Sequence, residues 1–254
     1  MRLSFSTLPV QDKDGKELLA LCQRHSMKAE IRTAPDGSFP YTEGLPVTNV
    51  GTGICLLGYD EAQLAKADEQ LALVGRRGIA AARVFLGNFR MRYDAPCRPI
   101  DEEGIVRALR HLAKSDVGIW IETHNEYATS KSLVPLLEKV GCENVGIVWD
   151  IAHPIEDGES VTETWRNLHD KIKQIHIKDA KPHPDPAFHD WYYTKLGEGE
   201  LPIGEVVECT QKSGYSGYYS LEWETLWRPE IKDAYSDVNA LLCEYRSFME
   251  GLLK

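Results

Sequence analysis

Eight short runs rich in β-branched and aromatic residues, each followed by a stretch long enough for a crossover, constrain this chain more than any other feature. They read as strands at 2–6, 28–32, 48–56, 79–86, 117–122, 145–149, 172–178 and 217–223. Several are nearly continuous in apolar residues, the pattern of parallel strands covered on both faces. Between them the period lengthens to that of a helix. Asp60 to Val74 carries Leu64, Leu71 and Val74 on one face, with Asp60 as N-cap, Gln63 three residues on and Gly75 as the expected stop. Asp101 to Lys114 aligns Ile105, Leu109 and Leu112, and Ser160-Val161-Thr162-Glu163 repeats the capping pattern before a helix to Leu168. Eight strands with their crossovers in 254 residues is the arithmetic of an α/β (β/α)8 TIM barrel, expected as a single domain over residues 1–254. A doubly wound sheet would call for a glycine-rich phosphate loop after the first strand. Ser6-Thr7-Leu8-Pro9 offers none, and Gly51-Thr52-Gly53 lacks the third glycine and a following helix. Two connections exceed the usual few residues, Thr33 to Pro46 and Ala180 to Leu201. The second holds Pro182, Pro184, Pro186, Trp191, Tyr192 and Tyr193 and reads as a lid or binding loop.

Composition narrows the function classes. With Lys+Arg 29 against Asp+Glu 39 the formal charge is -10, which repels a phosphate backbone, so nucleic acid is not an expected partner. No apolar run approaches the roughly 18 residues of a membrane helix, and no signal-peptide pattern precedes the first strand. The expectation is a cytoplasmic protein with no membrane partner. Six cysteines at 22, 55, 97, 142, 209 and 243 form no C-x-x-C pair and are expected as reduced thiols.

In a barrel of this kind the active site lies at the C-terminal ends of the strands. Val117 to Ile121 ends in Glu122, Val145 to Trp149 ends in Asp150, Ile172 to Ile175 leads to His176, and Tyr218 to Leu221 leads to Glu222. Burying three carboxylates together costs several kcal/mol apiece, of order, unless a positive charge offsets them. Three oxygen ligands and one imidazole suit one divalent metal ion, Mn2+, Mg2+, Co2+ or Zn2+, and the lack of thiolates argues against a closed structural zinc site. Taken singly, each acid could be a helix cap or a surface ion pair, and the histidine an ordinary core residue. Four at successive strand ends favour a site. Spacing of two keeps side chains on one strand face, which adds His124, Lys178 and Glu224 as substrate-binding candidates. Lys178 could instead be a solvated strand-end lysine. His153, three beyond Asp150, could bind substrate or cap the next helix. Arg83 could bind a substrate oxygen or pair with Glu30, and Trp191 and Trp227 could wall a sugar face or anchor loops.

The segments Ile121-Glu122-Thr123-His124-Asn125, Val148-Trp149-Asp150-Ile151-Ala152-His153-Pro154, Ile175-His176-Ile177-Lys178-Asp179, Leu196-Gly197-Glu198-Gly199-Glu200 and Gly217-Tyr218-Tyr219-Ser220-Leu221-Glu222-Trp223-Glu224 resemble the sugar phosphate isomerase/epimerase family of xylose isomerase-like barrels. The likeness is strong in the C-terminal half, while the first 78 residues match only in strand rhythm. It implies that Glu122, Asp150, His176 and Glu222 bind the metal and that the two glutamates also move a proton. The implied activity is isomerisation or epimerisation of a small ketose or hydroxy-ketone through an enediolate, with a small-molecule sugar as partner. Some relatives are dimers or tetramers, so a homo-oligomer stays open. Metal-dependent 3-dehydroshikimate dehydratases resemble the chain at Glu122/His124, Asp150/His153 and His176/Lys178, so a lyase is the rival, and a non-catalytic sugar-binding barrel is a third reading. Apurinic endonucleases need histidines from early strands, and His25, in the first predicted helix, is the one histidine before residue 111.

Overall fold

The computed structural model describes residues 1–88, 97–185 and 191–253. In chain order it contains β1 (Arg2–Ser6), α1 (Gly15–His25), β2 (Lys28–Arg32), β3 (Val47–Leu56), α2 (Glu61–Arg76), β4 (Ala81–Leu86), α3 (Glu102–Leu112), β5 (Gly118–Glu122), α4 (Ser130–Val140), β6 (Val145–Asp150), α5 (Ala152–Glu156), α6 (Val161–Leu168), β7 (Ile172–Ile177), β8 (Asp179–Pro182), β9 (Trp191–Thr194), α7 (Ile203–Lys212), β10 (Tyr218–Leu221) and α8 (Val238–Gly251). Strands β1 to β7 and β10 close into a parallel barrel, with β10 between β7 and β1. The expected (β/α)8 architecture is therefore the observed one.

Helix starts follow the sequence grammar. Asp14 accepts from the amides of Lys16 and Glu17 while Glu17 accepts from the amide of Asp14, a complete capping box for α1. Asp60, Asp101 and Ser160 each accept from an amide three residues on. The end of α2 differs from expectation. It runs through Gly75 to Arg76, and the chain turns at Gly78, which has φ 67. A helix stop needs a residue in the left-handed region, and Gly78 rather than Gly75 supplies it. The crossover from β2 to β3 has no helix. In its place residues 33–46 pack across the outer layer. The Tyr41 hydroxyl donates to the Arg77 carbonyl at 3.1 Å, and a Cβ on Gly15 would lie 2.4 Å from the Tyr41 carbonyl carbon.

Polarity divides the barrel strands by face. Ala29, Ile31, Ile175, Ile177, Tyr219 and Leu221 belong to the buried apolar cluster shared with the helices. The alternate residues Glu30, Gln174, His176 and Ser220 are equally buried but polar. Glu30 on β2 bonds to β7 and β10, although β1 and β10 separate β2 from β7 around the ring. That contact crosses the lumen, so the interior is polar and the hydrophobic core lies between strands and helices. Among the described residues no helix is long and apolar enough to cross a membrane, and all six cysteines are free.

The stretch from Ala180 to Leu201, expected as a lid or binding loop without strands of its own, contains an antiparallel hairpin, β8 with β9, registered from Asp179 against Thr194 to Pro182 against Trp191. Pro186 lies outside the described residues. Alternation in Trp191-Tyr192-Tyr193-Thr194 suits a short strand, and the prolines around it masked the signal. The return from β9 wraps the Asp179 carboxylate. It accepts from the amides of Gly197 at 2.8 Å, Gly199 at 3.0 Å, Leu201 at 3.2 Å and Ala180 at 2.9 Å. A Cβ on Gly199 would fall 2.1 Å from Asp179 Oδ1 and 2.6 Å from the Ala180 backbone, so only glycine admits this approach.

Gly199→Ala should therefore destabilise the chain by about 1–3 kcal/mol through overpacking. Gly53→Ala, on β3 with nothing within 4 Å of its added carbon, should leave stability within about 0.5 kcal/mol or improve it. Urea unfolding of the two variants checks the contrast, and equal midpoints would contradict it.

Candidate active site

Barrel register brings the four strand-end groups together. Glu122 and Asp150 are the last residues of β5 and β6, His176 is the penultimate residue of β7, and Glu222 follows β10. Asp150 lies beside His176 across β6 and β7, and Ser220, two before Glu222, lies beside His176 on the other side. Each of the four offers one donor atom to a buried cluster in which all lie within 4.8 Å of one another. His176 Nδ1 is 3.1 Å from Glu222 Oε2, 3.8 Å from Glu122 Oε2 and 4.0 Å from Asp150 Oδ2.

Those same four atoms, Glu122 Oε2, Asp150 Oδ2, His176 Nδ1 and Glu222 Oε2, are buried without a hydrogen bond of proper geometry. Buried polar atoms are ordinarily hydrogen-bonded, so four such atoms gathered at one place and met by ion-pair contacts alone fit a cation the chain is built to receive. Three carboxylate oxygens and an imidazole nitrogen with no thiolate suit a hard or borderline divalent cation.

Most of the other expected residues surround this cluster. The Lys178 ammonium lies 2.6 Å from both Asp150 Oδ2 and Glu222 Oε2 and 3.7 Å from Glu224 Oε2. At 1% exposure it is no solvated strand-end lysine. Arg83 is fully buried, with Nε 3.1 Å from Glu122 Oε2 and its guanidinium over the Phe85 ring. The pairing of Arg83 with Glu30 weighed from the sequence does not form, because Glu30 takes His176 as its ion-pair partner. His153, in the first turn of α5, directs Nε2 toward Asp150 Oδ2 at 3.5 Å and Nδ1 toward Glu156 Oε2 at 3.2 Å. The His124 ring packs against His153 at 4.3 Å between centroids, and its Nδ1 is 2.6 Å from Asn125 Oδ1. Glu224 is 3.6 Å from the Arg228 Nε. Trp191 opens β9, half-buried, with its carbonyl accepting from Arg228. Trp227, 52% exposed, stands on the turn beyond Glu224.

Residues 9–242 match the family described as xylose isomerase-like TIM barrel. The chain belongs to that family. The first curated relatives are matched over less than half of their own length, as with an inosose dehydratase of Lacticaseibacillus casei, 24% identical over 124 residues, 43% of this chain and 42% of that protein. A fructoselysine 3-epimerase of Escherichia coli O157:H7 is 24% identical over 219 residues, covering 85% of this chain and 75% of its own. Among solved structures, the IolI protein with a bound zinc atom superposes with a TM-score of 0.74 at 16% identity, over 97% of this chain and 96% of that one.

Three residues of this xylose isomerase-like barrel escaped the sequence reading as parts of the site. Glu30 accepts from His176 Nε2 at 2.8 Å and Gln174 Nε2 at 2.6 Å. Arg32, two residues on along β2, brings Nη1 to 3.8 Å from Glu222 Oε1. Tyr193 from β9 lies beneath the Arg228 guanidinium, 4.0 Å from its ring centroid, with Lys178 at 5.4 Å. A legible signal existed for Glu30, an acid in the middle of an otherwise strand-like run, and for Gln174, two before His176 on the same face.

Electrostatics within the cluster is strongly coupled. Burial, then the negative charge of Glu222, pushes Glu122 up to about 8. Burial also works to raise Glu222, but the His176 and Lys178 charges outweigh it and hold that carboxyl well below its usual range. For His153 burial would depress the imidazolium, yet Asp150 and Glu156 lift it to about 9. Burial and the His153 charge hold His124 well below its usual value.

The raised groups make the cation-stripped chain less stable as pH rises. Folded Glu122 keeps its proton to about 8, whereas the unfolded group releases it near 4.5; folded His153 keeps its proton to about 9 against 6.5 unfolded. Between those limits the folded state binds more protons, so its advantage is full below them and lost as pH climbs through the folded values. Urea midpoints in excess chelator should fall from pH 6 to pH 9, and a flat or rising series would remove this account.

Proposed function

We propose that this chain is a divalent-metal-dependent sugar isomerase or epimerase acting on a small ketose or hydroxy-ketone. The observation that carries the reading is the convergence of three buried carboxylates and one imidazole whose ligand atoms all lie within 4.8 Å of one another. Glu122, Asp150, His176 and Glu222 hold the cation. A bound divalent ion, Mn2+, Mg2+, Co2+ or Zn2+, would polarise the substrate carbonyl and stabilise the negative charge that develops on its oxygens.

The chain's own groups move the proton. Glu222, kept ionised by His176 and Lys178, takes it from the carbon beside the carbonyl. Glu122 returns it; delivery to the opposite face inverts the carbon, whereas one glutamate doing both moves the carbonyl. Arg83 at 3.1 Å fixes the Glu122 carboxylate and is available to a substrate oxygen. Lys178, His153, His124 and Glu224 supply hydrogen bonds to hydroxyls around the reacting carbon, and Trp191 and Trp227 wall the mouth. The fructoselysine 3-epimerase likeness supports epimerisation as the reaction class.

A lyase reading is favoured by one observation, the pair of histidines 4.3 Å apart beside Glu122, and by the inosose dehydratase likeness. Proton abstraction would be the same. His124 or Lys178 would then protonate a departing hydroxyl.

A panel of ketoses and dehydroshikimate, followed by NMR in deuterated buffer with added Mn2+, separates the readings. Solvent deuterium entering recovered ketose supports the isomerase or epimerase. A new ultraviolet chromophore from an unsaturated product supports the lyase. Glu222→Gln, assayed at saturating metal, should lose about 100-fold or more of kcat; near wild-type turnover would take Glu222 out of proton transfer.

A further inference from the structure

We infer that Glu30 is a positioning residue for the metal centre, fixing the His176 imidazole with its proton on Nε2 so that Nδ1 is the ligand atom. This rests on Glu122, Asp150, His176 and Glu222 being the cation ligands.

The hydrogen-bond inventory around one oxygen carries the argument. Glu30 Oε2 lies 2.6 Å from Gln174 Nε2, 2.8 Å from His176 Nε2 and 3.2 Å from Ser220 Oγ. The Gln174 amide nitrogen can only donate, and the serine hydroxyl donates to the same atom. An oxygen that already receives two donors has no proton of its own to give, so the third neighbour, His176 Nε2, is a donor as well. With Nε2 committed to Glu30, Nδ1 is the nitrogen that faces the cluster, 3.1 Å from Glu222 Oε2, and the one left to hold a cation.

Charge makes the arrangement specific rather than incidental. Glu30 is fully buried in the lumen, and among the described residues its single ion-pair partner is His176. Arg83 and Lys178, the buried cations close by, are committed to Glu122 and to Asp150 and Glu222. A buried carboxylate that made no functional contact would be replaced without loss by an apolar side chain of the same size. Here its charge acts through the imidazole: a carboxylate on the remote nitrogen raises the basicity of the near one and locks the plane of the ring. The distances explain why one strand does this. Glu30 and Arg32 are two apart on β2, so the same face that reaches His176 also brings Arg32 to 3.8 Å from Glu222.

The experiment uses the full-length chain stripped with chelator and then titrated with Mn2+ or Zn2+ against a competing fluorescent chelator, together with long-range 1H–15N NMR of the His176 ring. Wild type should bind the ion and, once loaded, show the ring proton on Nε2. Glu30→Gln, which keeps the shape and removes the charge, should bind the ion about 10- to 100-fold more weakly, while the stripped variant melts no lower than stripped wild type. Affinity within about threefold of wild type, well under the effect expected for a second-layer partner, overturns the inference and leaves the four-ligand reading intact. A loaded wild-type ring with its proton on Nδ1 does the same, and this measurement decides the matter if the variant does not fold. Wild type that takes up neither ion overturns the four-ligand reading and this inference with it.

Discussion

Mutual repulsion among buried carboxylates is the constraint on which this barrel is organised. Glu30, Glu122, Asp150 and Glu222 are all at most 2% exposed, and each carries a desolvation cost of several kcal/mol, in order of magnitude. The chain offsets them with its own buried cations. Arg83 faces Glu122, Lys178 bridges Asp150 and Glu222, and Arg32 approaches Glu222 from the other side. Even so, three carboxylates and an imidazole stay crowded with their ligand atoms within 4.8 Å of one another, an arrangement that a divalent ion fits. The lumen cannot supply much hydrophobic stabilisation while holding this many charges. That task falls to the outer layer, where the alternate residues of the same strands meet the helices.

The period of two along a strand turns this division into a depth scale. On β7 and just beyond it, Gln174, His176 and Lys178 rise from the interior toward the mouth; Ser220, Glu222 and Glu224 do the same at β10. Glu30 bonds to Gln174, His176 and Ser220, the four clustered groups follow toward the mouth, and Lys178 and Glu224 lie beyond them with Arg228. Each layer orients the one above it. A substitution low in the lumen can thus alter a group at the mouth without touching substrate.

Local grammar and long-range geometry were not equally readable from the chain. The four strand-end groups were legible as candidates because each closes an apolar strand run, and a charge at such a boundary stands out. Glu30 was visible as an acid in mid-strand, but its partners lie 144, 146 and 190 positions away. Arg83 was visible as a charge within an apolar strand, but its choice of Glu122 over Glu30 is fixed by barrel closure, which sets which strands face each other across the lumen. Asp60, Asp101 and Ser160 caps were local and hence readable, whereas the stop of α2 at Gly78 depended on a backbone angle that composition does not reveal. The hairpin of β8 and β9 was hidden because proline marks loops more strongly than a four-residue aromatic run marks a strand.

That hairpin belongs to the part of such a barrel that varies most. Strand ends carry the clustered groups, and the connections beyond them differ from one barrel to the next. Here the connection after β7 is tied at its base by four amides on Asp179 and along β9 by Glu230, which accepts from the Tyr193 amide. Tyr193 then packs against the Arg228 guanidinium and faces Lys178. The described part of the connection is therefore a fixed wall beside the proposed substrate site, built by backbone contacts rather than by side-chain charge alone. Beside Glu224 this wall presents the aromatic ring of Tyr193 and the charge of Arg228 together, so one surface above the four clustered groups joins an apolar face to a cation.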